Sequence, residues 1–101
     1  MLQSRASFTT EHGSRYLQQL CKHWSHKFPV EFTPEKGEIN LGEGRICRLE
    51  AAPEKLTMIA LAPDQDVLTN LEGVIIRHIA RFAFREEMGD VSWTPVSQAA
   101  E

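Results

Sequence analysis

The chain has 101 residues, 42% of them hydrophobic and 25% charged, with two cysteines and a formal net charge of −3 at pH 7. That length and balance fit one hydrophobic core, needing no metal or disulfide to hold it, and argue against disorder except at the ends. The acidic balance argues against a non-specific nucleic-acid binder, and no run approaches the ~20 apolar residues of a membrane span. With no signal-peptide core and no Cys-x-x-Cys pair around Cys21 and Cys47, a reduced, cytoplasmic, single-domain protein is expected.

Residues 1–8 are polar and unpatterned, so a frayed start is expected. From about Thr10, Leu17, Leu20, Cys21, Trp24 and Phe28 recur at helical spacing and predict one apolar stripe. Thr9, Thr10 or Ser14 offers an N-cap oxygen, and Pro29 ends the helix because the residue before a proline is pushed out of the α region. The period then changes from 3.6 to 2. Val30 and Phe32 alternate with Glu31 and Thr33, and Ile39 and Leu41 with Glu38 and Asn40, predicting two strands across the turn at Pro34–Gly37. Gly42-Glu43-Gly44 closes a tight hairpin into a third strand over 45–51, with Cys47, Leu49 and Ala51 on one face. The fourth strand, Leu56 to Ala62, is apolar on both faces and is expected to be central. Asp64 or Asp66 then caps a second helix whose stripe is Leu68, Leu71, Ile75, Ile79 and Phe82. Gly73 inside that helix suggests a close packing contact. Val91-Ser92-Trp93 is a candidate short edge strand.

The layer logic predicts an α+β fold: a four-stranded antiparallel meander sheet with two helices packed on one face, in the order α-β-β-β-β-α. The domain is expected to span residues 8–93, with 1–7 and 94–101 as flexible ends.

The densest chemistry is Cys21-x-His23-x-x-His26, which invites a metal reading because thiolate and imidazole are good ligands for zinc, copper or iron. On a continuous helix, Cys21 belongs to the core stripe while His23 and His26 lie roughly 160° and 140° around the axis from it, so one ion cannot touch all three. Cys21 reads as a small buried hydrophobe. His23 and His26 remain as an exposed i, i+3 pair, a candidate metal or ligand site that is short of the three or four ligands zinc usually takes. The bland alternative is two surface histidines bonded to neighbours. His78 borders the second helix's buried stripe and reads first as a satisfied core-edge residue, although side-by-side packing of the helices would let it face His23 and His26. Arg77, Arg81 and Arg85, with Lys22 and Lys27, suggest either an anion- or partner-binding patch or a solvated face paired with Glu86 and Glu87. Phe84 points away from the stripe and is a candidate for self-association together with Trp93.

Two segments, Arg15-Tyr16-Leu17-x-x-Leu20-Cys21-x-His23-Trp24-Ser25-His26-Lys27-Phe28 and Arg81-Phe82-Ala83-Phe84-Arg85-Glu86, resemble the signature stretches of the bacterial domain of unknown function 2218 (DUF2218). The resemblance covers roughly residues 8 to 93. It implies a stand-alone domain, or one found fused to flavin-dependent siderophore-interacting reductases, and hence a link to iron handling without a mechanism.

Three functions are expected from these residues. The first is a non-enzymatic accessory or binding module, docking a protein or a small anionic or metal ligand through His23, His26, His78, Arg81 and Arg85. The second is a metal- or haem-binding protein, or a minor enzyme of iron metabolism, with His23 and His26 as ligands. The third is a self-associating structural module. A monomer or homodimer is expected, with no nucleic acid or membrane partner and no cofactor needed for folding.

Overall fold

A computed structural model describes residues 2–83 and 91–96. Its elements are β1 (Leu2–Thr9), α1 (Gly13–Trp24), β2 (Val30–Phe32), β3 (Lys36–Gly42), β4 (Arg45–Ala52), β5 (Lys55–Ala62), α2 (Gln65–Phe82) and β6 (Thr94–Pro95). The strands form one antiparallel sheet in the order β2-β3-β4-β5-β1-β6.

The β2–β5 meander and the two helices match the expected α+β class, but the sheet has six strands rather than four. The first added strand occupies the segment expected to fray. β1 pairs along its whole length with β5, from Leu2 opposite Ala62 to Thr9 opposite Lys55. Its inward positions are Ser4, Ala6 and Phe8, all buried, with Arg5, Ser7 and Thr9 exposed between them. The alternation is that of a half-buried strand, but two of its three inward residues are small, so the apolar signal is weak. Ser4 is satisfied by donating its hydroxyl to the Glu72 carboxylate on α2 at 2.6 Å, so its burial leaves no orphaned polar atom. The second added strand, β6, pairs with β1 at Ser4 and Arg5. It begins one residue after the expected Val91–Trp93 segment, within the stretch expected to be a flexible end.

β5 is central, as its two apolar faces require. Leu56, Met58, Ala60 and Ala62 face the helices, while Ile59 and Leu61 on the open face are only 5% and 8% exposed. Across the ladder Ile59 is flanked by Arg5 and Arg48, whose long aliphatic stems cover apolar surface while their charged ends stay in water. Both helices lie on one face of the sheet. α1 packs over β2, β3 and β4, and α2 over β1 and β5, so the two together roof one core. Leu17 and Leu20 of α1 and Ile75 and Ile79 of α2 are wholly buried, each burial favouring folding by about 1.5–3 kcal/mol.

The helix ends decide where the polar groups go. Asp64 caps α2, its carboxylate accepting from the Val67 amide at 2.9 Å. At α1 the capping position falls to His12, which makes no side-chain cap; Thr10 instead accepts from the His12 amide in a local turn, and Ser14 donates to the Pro34 carbonyl. α1 also stops at Trp24, short of Phe28. The Ser25 hydroxyl donates to the Lys22 carbonyl at 2.7 Å, and the chain turns through Lys27 and Phe28, whose amides both reach the Trp24 carbonyl. His26 therefore sits in a turn beyond the helix rather than on its outer face. The expected close contact at Gly73 is absent: a Cβ there would meet only the far end of the Arg77 side chain. The close contact is at Gly37 in β3, where a Cβ would stand 2.7 Å from Cys21 Sγ.

Candidate functional site

The end of α1 meets the C-terminal half of α2 rather than its start, and the seam between them opens into a groove of about 560 Å3. That volume is in the range of small-molecule sites. Trp24, Phe28, Leu41, Leu71 and Val74 supply its apolar surface, and His23, His26, Lys27, Arg45, Asn70 and His78 its polar groups. Two helices, the turn after α1 and the β3–β4 hairpin each contribute, so the groove exists only once the fold is complete.

The crossing of the helices brings His78 to His23. Their ring centroids are 5.5 Å apart at 50°, and His78 also lies 4.8 Å from the Trp24 ring. Phe82 meets His23 edge-on at 6.4 Å, closing that end of the cluster. The orientation of His78 is set from its own helix: Nδ1 lies 2.7 Å from the Val74 carbonyl oxygen. A carbonyl can only accept, so Nδ1 carries the proton and the lone pair of the neutral ring is on Nε2.

Arg45 is held in a comparable way. Its Nε donates to the Gly42 carbonyl at 3.1 Å and one terminal nitrogen donates to the Leu41 carbonyl at 2.8 Å. The hairpin that offers those carbonyls runs through positive φ at Gly42, Glu43 and Gly44, which the two glycines accept without strain. The ion pair formed among the described residues, Arg48 with Glu38 at 2.8 Å, is elsewhere, on the open face. Lys27 and Arg45 thus stand in the groove without a carboxylate partner among the described residues. A hollow of similar volume along β2–β4 differs in this respect, since Glu31, Glu38 and Glu50 line it beside Lys36 and Arg48.

The residues singled out in the sequence divide as follows. His23 and His26 are exposed, His78 is half-buried, and all three line the groove. Arg81 is exposed on α2 but does not line it, and Arg85, Phe84, Glu86 and Glu87 lie outside the described residues. Trp93 is half-buried against the core, which removes part of its surface from any self-association. Cys21 is wholly buried, its thiol pushed up to about 11 by burial, and Cys47 is buried and pushed higher still, with Cys21 adding to the shift. Neither thiol is available as a ligand or nucleophile at neutral pH. Among the described residues no three His, Cys, Asp or Glu side chains are grouped so as to hold one metal ion.

Arg45 was not among the residues singled out in the sequence. The available signal was parity: Arg45 shares it with Cys47 and Leu49, the helix-facing residues of β4, so a cation stands at an inward position.

No helix among the described residues is long and apolar enough to cross a membrane. The comparison with curated proteins returns no match. The family model for an uncharacterised protein conserved in bacteria (DUF2218) matches residues 5–94. Among solved structures, the chain is similar to the NMR structure of PA4090 from Pseudomonas aeruginosa, with 40% identity and a TM-score of 0.79 over 93% of this chain and 96% of that one. The six-stranded fold with its histidine-lined groove therefore belongs to a chain of the DUF2218 family, a set of uncharacterised proteins conserved in bacteria.

Proposed function

We propose that this protein is a binding module that takes a small ligand in the groove between the end of α1 and α2, with His23, His26 and His78 at its polar rim. The convergence of His23 and His78 from separate helices carries this reading, with their rings 5.5 Å apart over the Trp24 side of the groove. The two rings meet at a helix crossing, against Trp24 and Phe82 and beside the partly exposed Phe28 and Val74. The lining residues include no hydroxyl, thiol or carboxylate. They offer hydrogen bonds, positive charge and apolar contact, which suits recognition rather than nucleophilic or carboxylate acid–base chemistry. The link to iron handling rests on the family resemblance alone, since neither the family description nor the name of the solved relative speaks of iron.

The test is a fragment screen followed by amide and imidazole NMR. Hits are expected to move the signals of His23, His26, His78 and the Trp24 indole together, and alanine at His23 and His78 is expected to weaken them. Hits that cluster elsewhere, or that bind the double variant unchanged, would overturn the proposal.

A second reading has one observation in its favour. The Val74 carbonyl fixes the His78 ring so that Nε2 offers its lone pair, an arrangement common in metal-bound histidine, with His23 adjacent. A two-histidine site would need the ligand or water to complete its coordination. Titration of untagged protein with Zn2+ and Cu2+ separates the readings: micromolar binding lost in H78A favours metal, and its absence favours an organic ligand.

A further inference from the structure

We infer that the ligand of this groove is a small organic monocarboxylate with a flat or branched apolar body, and that Arg45 is the residue that selects it. The inference rests on the groove being the binding site and adds the chemistry of the occupant.

The Arg45 guanidinium is already oriented before any ligand arrives. Nε and one terminal nitrogen bond the carbonyls of Gly42 and Leu41, which uses the side edge of the planar group. A guanidinium has five N–H donors, so the end edge keeps a pair of parallel N–H groups, the geometry that matches the two oxygens of a carboxylate. Because the backbone holds the fork, binding costs less side-chain entropy than closing a mobile surface arginine around the same anion. No carboxylate among the described residues lies within 4.0 Å to compete for it.

The charge around Arg45 also limits the anion. Glu43 and Asp66 line a smaller hollow that adjoins the groove at Arg45 and Asn70. Together they offset the two cations of the groove, Lys27 and Arg45, so a dianion meets no excess positive charge, whereas a monocarboxylate needs only the fork. Phe28 and Val74, partly exposed beside the buried Trp24, Leu41 and Leu71, then take the body of the ligand, with the His23 and His78 rings next to it. The class is thus an aryl or short branched-alkyl carboxylate, rather than a phosphate ester or a sugar.

Three probes of one shape test this: 2-naphthoate, 2-naphthalenemethanol and 2-naphthyl phosphate, titrated by NMR into the wild type, R45Q and R45K. Naphthoate is expected to move the His23, His78 and Trp24 signals and to bind at least tenfold more tightly than the alcohol or the phosphate. R45Q is expected to abolish that preference, so that naphthoate and the alcohol bind alike. R45K, which keeps the charge but not the fork, is expected to fall between them. Amide spectra establish that each variant is folded. Equal binding of naphthoate and alcohol at the groove, tighter binding of the phosphate, or an unchanged preference in R45Q would overturn the carboxylate assignment while the groove stands. If all three probes leave the groove signals unmoved, the binding-site reading fails and this inference with it.

Discussion

Placing one methyl group at Gly37 tests the contact that positions α1, and with it His23. Gly37 is buried in β3 under α1, and a Cβ built there lies 2.7 Å from Cys21 Sγ and 3.4 Å from Leu17 Cδ2 and Phe32 Cβ. The two 3.4 Å approaches are tight but tolerable. The sulfur contact is not, because it falls well inside van der Waals range and both groups are enclosed. Overpacking of this kind costs about 1–3 kcal/mol, and the smaller entropy of an unfolded alanine chain returns roughly 0.5–1 kcal/mol. Gly37→Ala is therefore expected to lose about 1–2 kcal/mol, a fall in Tm on the order of 5–10 °C for a domain of this size. Cys21→Ala alone removes a wholly buried sulfur and should cost on the order of 1 kcal/mol. Together the two changes let the new methyl occupy the space the sulfur vacates, so the double variant should be more stable than the sum of the singles by about 1–2 kcal/mol. Urea unfolding at constant m reads all three values. Additivity within about 0.5 kcal/mol would mean that the residues do not touch, and that α1 is seated differently over β3. A tilted α1 in Gly37→Ala should also separate His23 from His78 and alter their ring NMR signals.

Gly73→Ala in α2 should raise stability by about 0.5–1 kcal/mol, because the added methyl meets only the mobile end of Arg77; a loss would show that a close contact exists there. Asp64→Ala removes the oxygen that accepts from Val67 and should cost about 1 kcal/mol in urea unfolding, with Asp64→Asn nearly neutral. Burial raises the thiol of Cys21 to about 11 and that of Cys47 further, so the folded state keeps both protonated where the unfolded chain ionises. Their contribution is complete below pH 9 and declines as pH rises from there through about 11, and C21A/C47A should flatten that part of the stability curve. For the same reason neither thiol should react with an aromatic disulfide reagent at pH 8 until the protein is unfolded.

What the sequence revealed depended on how much apolar contrast each segment carries. The meander was readable because Ile39, Leu41, Cys47 and Leu49 alternate with charged or polar residues, and β5 because Ile59 and Leu61 make its second face apolar as well. β1 was not, since Ser4 and Ala6 at its inward positions look like surface residues until β5 and Glu72 are seen opposite them. At the site, His23 and His26 stood out by spacing. Their partner His78 could not be placed, because whether it meets α1 depends on the crossing of two helices that share no local sequence. The end of α1 was misplaced by one turn because Ser25 diverts the Lys22 carbonyl, a local bond that a hydrophobic stripe does not register. Arg45 was hidden by its position at a strand start, where a cation is ordinarily solvated.

The muted hydrophobicity of β1 has a consequence for how the chain is made. β1 precedes the other strands of this fold, yet the strand it pairs with along its whole length, β5, comes only after α1 and three other strands. Throughout that interval its backbone edges are open, and a segment of valines and isoleucines in that state would invite pairing with other chains. Ser4, Ala6 and Ser7 make a strand that can wait in water with little tendency to stick. Its stability comes late, from β5 on one side and α2 above, so the N-terminal strand should be among the last parts of the sheet to gain protection from hydrogen exchange during refolding.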